Sequence, residues 1–478
     1  MEDDHKKYFD KFIKVESETA LFDYRVKGIS VWDHLRYKVF YDFLFSEVRE
    51  NEIKKKKELM AQSLLSKLTI YTKGICEFFL LILSRKKYEL VVIDDGNRKY
   101  LDEKYINNHL GPFTEYLSHS RSIIVLNVSI EKSVYKDHPY IDEINISFLV
   151  QLRKLASKFI FFRKSDDLFF DEIANILNSN FSGQVEKRTL KRDFIERSYF
   201  DFIFFTFVIK RLLPKKLILC DNGSCKGIYE AADRCSIRSY DVQHSLMSRY
   251  NILYSYSKKV SKESVVMPSK ILTYGKYWND KYQTYADRTA VGSPFHEIKK
   301  NEVISKEVSK AFSHFEKEKT MLIISSMRSG KKLEKIVISL ANQLEDFQFI
   351  YKLRPNEYPF WKEVYSNEFV EHPRIFVVDK DEIGLYELFK VSNYQIGINS
   401  TAIVEGMTFN LKTFILKDSW YLEMIDFIKD GYVKLIESDD EVISGINKNN
   451  FKLIDAHELY LDNSFENLEK RTTIISCY

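Results

Sequence analysis

The sequence has few cysteines, little net charge and no long apolar run, and each of these absences excludes a class of protein. The five cysteines form no CxxC pair, and an odd number of thiols without a secretory signal indicates a reduced, cytoplasmic protein. A net charge of +4 is small for 478 residues and gives no general case for binding nucleic acid. The N-terminus, MEDDHKKYFDKF, is too charged for a signal peptide, and no apolar run approaches the ~20 residues that span a bilayer.

A possible metal cluster is the next feature to weigh. Cys220, Cys225, Cys235 and His244 lie close together in the sequence. Their spacing matches no standard zinc site, because zinc ligands usually come in closely spaced pairs. We therefore predict that the chain holds no metal.

What the sequence does contain is a long alternation of strands and helices. A composition of 45% hydrophobic and 30% charged residues is that of a globular protein, and the length is too great for one ordinary core. From residue 88 onward, short apolar runs end in polar turns and alternate with helical segments. This pattern predicts an α/β protein with parallel sheets and with ligands at the carboxyl ends of the strands.

A lysine- and glutamate-rich stretch at about 297–319 separates two series of strands and marks the domain boundary. We predict a first domain over 1–296, with a helical N-terminus and a helical insert at about 141–213. A second domain is predicted over 297–425. The remaining residues, 426–478, read as a helical tail that could cross back to the first domain.

The most informative segment is 391–417, VSNYQIGINSTAIVEGMTFNLKTFILK. Its pattern predicts a strand, a small polar turn, a helix and a second strand. The turn would place Ser400 and Thr401 at a helix N-terminus, where free N–H groups favour phosphate. Glu405 follows one helical turn later and could face the same cleft to receive a ribose hydroxyl. An ordinary capped helix with a solvated Glu405 is the alternative.

Three motifs, in this order, resemble those of GT-B glycosyltransferases, and most closely the bacterial enzymes that build capsule and lipopolysaccharide chains. They are YDVQHS with PSKILTYGKYWND and AVGSP (240–294), YKLRPNEY (351–358), and NSTAIVEGMTFNLKTFIL (399–416). The resemblance spans roughly 88–420. It implies two Rossmann-like domains facing a cleft, with added N-terminal and C-terminal helices. Two residues depart from the pattern: Ser245 replaces a usual Gly, and Arg354 replaces a frequent His, although an arginine fork can still hold phosphate.

The resemblance and the strand ends together give a set of candidate site residues. We expect the nucleotide sugar to be bound by Ser326, Arg328, Lys352, Arg354, Glu357, Ser400, Thr401 and Glu405. The candidates for the catalytic base are Asp95, Asp221 and His244, with Asp95 as the first choice because Gly96 and Asn97 would turn it out of the strand. Both aspartates could equally be turn-formers. For the acceptor we expect Arg98, Lys99 and Lys104 to bind an anionic glycan or a lipid-linked diphosphate.

The sequence therefore predicts a metal-independent glycosyltransferase without a cofactor, which transfers a sugar from a nucleotide donor to a lipid-linked or oligosaccharide acceptor of a surface polysaccharide. Three alternatives stay open: a CDP-alditol phosphotransferase of the teichoic-acid type, a UDP-sugar epimerase and a non-catalytic glycan-binding subunit. Two segments, ICEFFLLIL at 75–83 and YFDFIFFTFVI at 199–209, are flanked by basic residues. They favour peripheral contact with the inner membrane from the cytoplasmic side, and buried helices with solvated ends are the alternative.

Overall fold

The computed structural model of the chain describes residues 2–44, 64–101, 104–129, 134–135, 137–181, 184–221, 225–281, 284–326, 329–418 and 420–472. These residues form two parallel sheets and two short antiparallel ribbons. The strands are β1 Arg25–Val26, β2 Ile29–Ser30, β3 Leu90–Asp94, β4 Arg98–Leu101, β5 Lys104–Asn107, β6 Ile123–Asn127, β7 Ile141–Asn145, β8 Lys216–Leu219, β9 Arg238–Val242, β10 Lys270–Thr273, β11 Asp287–Ala290, β12 Thr320–Ile324, β13 Gln348–Lys352, β14 Ile375–Val378, β15 Tyr394–Gly397, β16 Lys412–Leu416 and β17 Val433–Ile436.

The first sheet contains seven strands in the order β11-β10-β9-β8-β3-β6-β7, and every neighbouring pair is parallel. All five residues of β3 are buried, because helices cover both faces of the sheet. The chain runs outward from β3 through β6 to β7, returns to β8 beside β3, and then runs outward the other way. The strand order therefore reverses between β3 and β8, and doubly wound sheets bind ligands at such a switch point.

The second sheet repeats this plan with six parallel strands in the order β14-β13-β12-β15-β16-β17. Its strand order reverses between β12 and β15. The protein thus consists of two Rossmann-like domains, in the GT-B-like arrangement, and the predicted α/β fold class is confirmed.

The helices lie between the strands and at both ends of the chain. The α-helices are Glu2–Glu18, Val31–Leu44, Leu64–Ser84, Gly111–Ser118, Leu149–Phe159, Lys164–Asn180, Lys187–Phe194, Phe200–Leu212, Lys226–Arg234, Tyr277–Asp280, Pro294–Asn301, Lys306–Ala311, Gly330–Gln343, Trp361–Val364, Asn367–Val370, Leu385–Val391, Thr401–Met407, Ile425–Lys429, Asp439–Lys448, Ala456–Leu459 and Ser464–Arg471. A π-helical turn, Ile195–Tyr199, joins two of them.

Two boundaries differ from those that the sequence suggests. The segment predicted as a helical insert from residue 141 begins with a strand, because β7 extends the first sheet beside β6. The segment predicted as a helical tail from residue 426 contains β17, which pairs in parallel with β16, and a helix that packs on the second sheet. The second domain therefore continues to about residue 448.

Buried ion pairs join the two N-terminal helices to each other and to the rest of the first domain. Both Nε and Nη2 of Arg36 donate to the carboxylate of Glu16, at 2.8 and 2.9 Å, and both side chains are almost fully buried. Lys226 donates to Asp33 at 2.8 Å and to the hydroxyl of Tyr256 at 2.9 Å. Since each buried charge has a partner, the desolvation cost of this interface is offset.

The C-terminal segment crosses back from the second domain to the first. A side chain at Gly275 would collide with the backbone of Glu458, and one at Gly292, where φ is +96°, would collide with the carbonyl oxygen of Leu461. The indole of Trp278 donates to the carbonyl of Leu459 at 2.8 Å. These close approaches hold residues 454–472 against the first domain.

Candidate functional site

The carboxyl ends of the two sheets meet at the boundary between the domains. The ribbon β4–β5 follows the end of β3 and buries Leu101 and Ile106 in one hydrophobic cluster with Ile324, Ile403 and Val404 of the second domain. These second-domain residues lie at the end of β12 and in the helix after β15. Both switch points therefore open on the same interdomain region.

The turn after β3 is built around Asp94. This buried carboxylate accepts hydrogen bonds from the backbone N–H of Gly96 (2.8 Å), from Asn107 (2.8 Å) and from Arg98 (3.0 Å). Arg98 is itself nearly buried and also lies 3.9 Å from Glu143. It stabilises the turn, whereas the sequence suggests a residue that binds the acceptor. The turn directs the next residue, Asp95, towards solvent.

The three candidate catalytic residues converge at the first switch point. His244 follows β9, and burial lowers its pKa, while the charges of Asp221 and Asp95 act to raise it. Nδ1 of His244 is buried and has no hydrogen-bond partner within the described residues. Although Asp95 reaches solvent, loss of hydration raises the pKa of its carboxylate, and the nearby Asp94 adds to that increase. A neutral imidazole beside a carboxylate can accept a proton from a bound hydroxyl.

Asp221 and Asp95 are both held by hydrogen bonds. The carboxylate of Asp95 accepts from the backbone N–H of Asn97 at 3.1 Å and from Asn107 at 2.8 Å. The carboxylate of Asp221 accepts a hydrogen bond from the thiol of Cys225 at 2.7 Å, and its backbone N–H donates to the buried carboxylate of Asp241 at 3.0 Å. Burial, with the charge of Asp221, raises the pKa of Asp241 well above its usual range. These contacts hold Asp221 in place at the end of β8.

Two further residues at this site were missed by the sequence analysis. The hydroxyl of Tyr274, after β10, lies 3.1 Å from Nδ1 of His109, which follows β5. The imidazole of His109 also packs edge-on against that of His244, with 6.1 Å between ring centroids. Burial, assisted by His244 and Lys99, lowers the pKa of His109 to about 3. A local sequence pattern gives no signal for a pair that is 165 residues apart.

In the second domain, Glu357 holds together the turns after β12 and β13. Its buried carboxylate accepts hydrogen bonds from the hydroxyl of Ser325 (2.6 and 2.8 Å), the backbone N–H of Arg354 (2.8 Å) and the hydroxyl of Tyr365 (3.3 Å). Glu357 was expected to contact the nucleotide, but its oxygens face these internal donors. It positions Arg354, whose exposed side chain donates from Nε to the carbonyl of Ser325 at 3.2 Å.

The other predicted donor-site residues of these two turns have different surroundings. Ser326 lies directly after Ser325, at the end of β12, and is partly exposed. Arg328 lies outside the described residues. Lys352 donates to the hydroxyl of Tyr358 (2.7 Å) and to the carbonyl of Lys380 (2.9 Å), and burial lowers its pKa to about 8.

The turn after β15 has the predicted form. Ser400 caps the seven-residue helix Thr401–Met407 by accepting a hydrogen bond from the N–H of Ala402 at 3.2 Å. Glu405 is half-buried on this helix, and burial raises the pKa of its carboxylate, while Lys99 and a hydrogen bond from Tyr386 lower it. Ser400, Thr401 and Glu405 therefore lie at the second switch point, as the sequence suggests.

Lys99 is the residue that links the two halves of the site. It belongs to the exposed edge of β4 in the first domain, yet its charge acts on His109 of that domain and on Lys352 and Glu405 of the other. Lys104, at the start of β5, pairs instead with Glu115. Of the three residues assigned to the acceptor, only Lys99 thus reaches the interdomain region.

Direct contacts join the C-terminal segment to the first domain and the first domain to the second. Tyr460 of the C-terminal segment stacks on Tyr274 (4.8 Å between centroids) and on His296 (4.0 Å). Lys281 of the first domain donates to Asp430 of the second at 2.6 Å. The relative position of the two sheet edges is therefore set by direct contacts.

The described residues also bear on metal binding and on membrane insertion. No group of three or more His, Cys, Asp or Glu side chains within these residues is arranged to hold a metal ion. No helix within the described ranges is both long and apolar enough to cross a bilayer.

Comparisons with known proteins give similar folds but no family. No family model matches the sequence, and a search of curated proteins finds no match. One similar solved structure is a UDP-GlcNAc 2-epimerase from Neisseria meningitidis bound to UDP-GlcNAc, with 13% identity, a TM-score of 0.48, and coverage of 80% of this chain and 98% of that chain. Another is MurG from Acinetobacter baumannii, with 9% identity, a TM-score of 0.46, and coverage of 79% and 97%. Identities and scores this low do not identify an activity, so the function must be argued from the residues of this chain.

Proposed function

We propose that the protein is a nucleotide-sugar-dependent glycosyltransferase whose active site lies between the two sheet edges. The observation that carries this proposal is the packing of the ribbon β4–β5, which belongs to the domain with the acid–base residues and shares a buried cluster with Ile324 and Ile403 of the opposite domain. The charge of Lys99, on this ribbon, also acts on Lys352 and Glu405. A donor held by the second domain would therefore present its phosphates and its anomeric carbon to the first. A transferase needs such an arrangement, because the anomeric carbon of the donor must lie within reach of the acceptor hydroxyl and of the group that takes its proton.

The donor would be held by the second domain. Glu405 is placed to accept hydrogen bonds from ribose hydroxyls, and the turn at Ser400 and Thr401 offers small polar groups to the phosphates. When the bond from the anomeric carbon to the phosphate oxygen breaks, negative charge grows on the leaving diphosphate. Arg354 and Lys99 would stabilise that charge in place of a metal ion. Activity should therefore persist in EDTA.

The first domain would activate the acceptor. Asp95 is partly open to solvent, and loss of hydration raises its pKa, which improves a carboxylate as a base. The neutral His244 beside it would hold the acceptor hydroxyl through its buried Nδ1. The acceptor oxygen gives its proton to Asp95 as it bonds to the anomeric carbon.

For the acceptor itself we propose a growing lipid-linked surface polysaccharide, such as capsule or O-antigen. This proposal rests on the three sequence motifs at 240–294, 351–358 and 399–416. An anionic or diphosphate-bearing acceptor also suits a site with the exposed cation Lys99 at its edge.

The experiment has two stages. Thermal-shift measurements with CMP, CDP, UDP and GDP identify the nucleotide, because a ligand that binds only the folded state raises Tm. Release of that nucleotide from its sugar donors is then followed with and without glycan acceptors. Lys99→Met should reduce turnover strongly, whereas Lys104→Met, on the same ribbon but paired with Glu115, should leave it near wild type. Equal turnover in both variants would contradict the proposed site.

An epimerase acting on a UDP-sugar is the second candidate, and the histidine pair favours it. His109 packs edge-on against His244, on which the charges of Asp95 and Asp221 act, so several groups that can transfer a proton would lie near a sugar bound here. An epimerase needs no acceptor. Incubation with the donor alone, followed by NMR, separates the two functions: a new sugar epimer without acceptor supports the epimerase and excludes the transferase.

A further inference from the structure

Exposed large hydrophobic side chains are concentrated on one part of the first domain. Among the described residues there are nineteen of them, and twelve lie in only three segments of the chain, 64–84, 149–161 and 200–213. Isolated exposed apolar residues are common on protein surfaces, but a concentration of this kind marks an interaction site.

The three segments are neighbours in the fold. Phe78 of the helix Leu64–Ser84 stacks on Phe204 of the helix Phe200–Leu212, with 5.2 Å between ring centroids. Arg153 of the helix Leu149–Phe159 forms two hydrogen bonds with Asp201, at 2.7 and 2.8 Å. The helices therefore lie side by side and present one continuous surface, which we call the apolar face.

On each helix the exposed apolar residues follow a helical spacing, so they form a stripe that points to solvent. The stripes are Leu68, Phe79, Leu80 and Leu83 on the first helix, Leu152, Leu155 and Phe159 on the second, and Ile203 and Phe207 on the third. Phe161, directly after the second helix, has 78% of its surface exposed.

The charges around the apolar face are predominantly basic. The exposed cations on these segments and their flanks are Lys73, Arg85, Lys86, Lys87, Lys154, Lys158, Arg163, Lys164, Lys210 and Lys215. The second helix has no acidic residue, and the one acidic residue of the third helix is Asp201, which is buried against Arg153. Leucine and phenylalanine stripes with basic residues beside them match the chemistry of a lipid surface with anionic headgroups.

We propose that the apolar face docks on the surface of an anionic bilayer, with the aromatic and leucine side chains among the acyl chains and the lysines and arginines at the headgroups. A second copy of the chain is a poorer occupant. In a symmetric dimer through this face, the basic residues of one copy would oppose those of the other. The docking is independent of the catalytic proposal, since none of these residues belongs to the interdomain site.

Vesicle flotation tests the docking with the purified full-length chain. Wild-type protein should float with vesicles of phosphatidylglycerol and phosphatidylcholine at low salt, bind much less at high salt, and fail to bind pure phosphatidylcholine. Replacing both Phe159 and Phe161 with Ser, or both Lys154 and Lys158 with Ser, should weaken binding by about tenfold or more. The matched control is Val303→Ser, which removes an exposed apolar side chain of the interdomain linker.

The results distinguish a membrane surface from a second copy of the chain as the partner of the apolar face. Loss of binding in the two double variants, with Val303→Ser and the melting temperature unchanged, supports a membrane surface. Absence of wild-type binding to anionic vesicles at low salt overturns the proposal. A stable dimer in light scattering that dissociates in the Phe159/Phe161 variant, without vesicle binding, also overturns it and assigns the apolar face to a second copy.

Discussion

Replacing Glu357 with Gln should weaken both the second domain and its nucleotide site, because one carboxylate holds two turns together. It receives three donors: the hydroxyls of Ser325 and Tyr365 and the backbone N–H of Arg354. A hydrogen bond to a charged acceptor contributes about 1.5–3 kcal/mol. Gln keeps the size and one acceptor oxygen but turns an N–H₂ group towards the remaining donors. We expect a loss of about 2–4 kcal/mol in the free energy of unfolding.

The assay combines urea unfolding with nucleotide titration. Because Glu357 fixes the backbone of Arg354 and the side chain of Ser325, nucleotide affinity should fall by about tenfold or more even under conditions where the variant is folded. Glu363→Gln is the matched control, since Glu363 is exposed on the next helix. Ser325→Ala removes one donor to this carboxylate and should cost about 1.5–3 kcal/mol. A Glu357→Gln protein with the wild-type urea midpoint and nucleotide affinity would refute this reasoning.

The remaining predictions concern the base, a cation and a buried histidine. Asp95→Asn should lower kcat by roughly 10²-fold and leave donor binding near wild type. Because the base must be deprotonated, the wild-type rate should fall as the pH drops through the raised pKa of Asp95. A collapse of donor binding in this variant would instead make Asp95 a turn residue or a donor ligand. Arg354→Ala should cost about 2–4 kcal/mol of transition-state stabilisation, measured as kcat/KM, and wild-type turnover would exclude the assignment. Burial lowers the pKa of His34 to about 3 in the folded protein. Below a pH of about 6.5 the unfolded state therefore binds a proton at His34 that the folded state does not bind, and the free energy of unfolding decreases. By pH 5 this decrease is about 2 kcal/mol. Between pH 7.5 and pH 5, the free energy of unfolding of His34→Leu should decrease by about 2 kcal/mol less than that of the wild type. If urea unfolding shows the same pH dependence in both proteins, this prediction is wrong.

The strands of both sheets could largely be predicted from the sequence, because strands buried on both faces are short apolar runs that end in polar turns. YELVVI and MLII are of this kind and form β3 and β12. β7, with the sequence IDEIN, was missed. It is an edge strand in which only Ile141 and Ile144 are buried, so its composition resembles that of a polar helix.

The candidate site was predictable in position but not in the direction of its side chains. The motifs place Arg354, Ser400 and Glu405 at the second switch point, where they lie. The same motif gives no indication that Glu357 turns inward to bind Ser325, or that Arg98 turns inward to bind Asp94. Those directions depend on contacts between turns that follow different strands, which only the folded sheet brings together.

The return of the C-terminal segment has a consequence for how the protein is made. Leu468 of the last helix shares a buried cluster with Leu90 of the first sheet and with Phe113 of the helix Gly111–Ser118. During synthesis, that sheet leaves the ribosome with one face incomplete, and the missing helix follows only after the whole second domain. The first domain therefore cannot reach its final stability as an autonomous N-terminal unit. A fragment ending near residue 300 should expose this face and aggregate, and co-expression of the second half should rescue it.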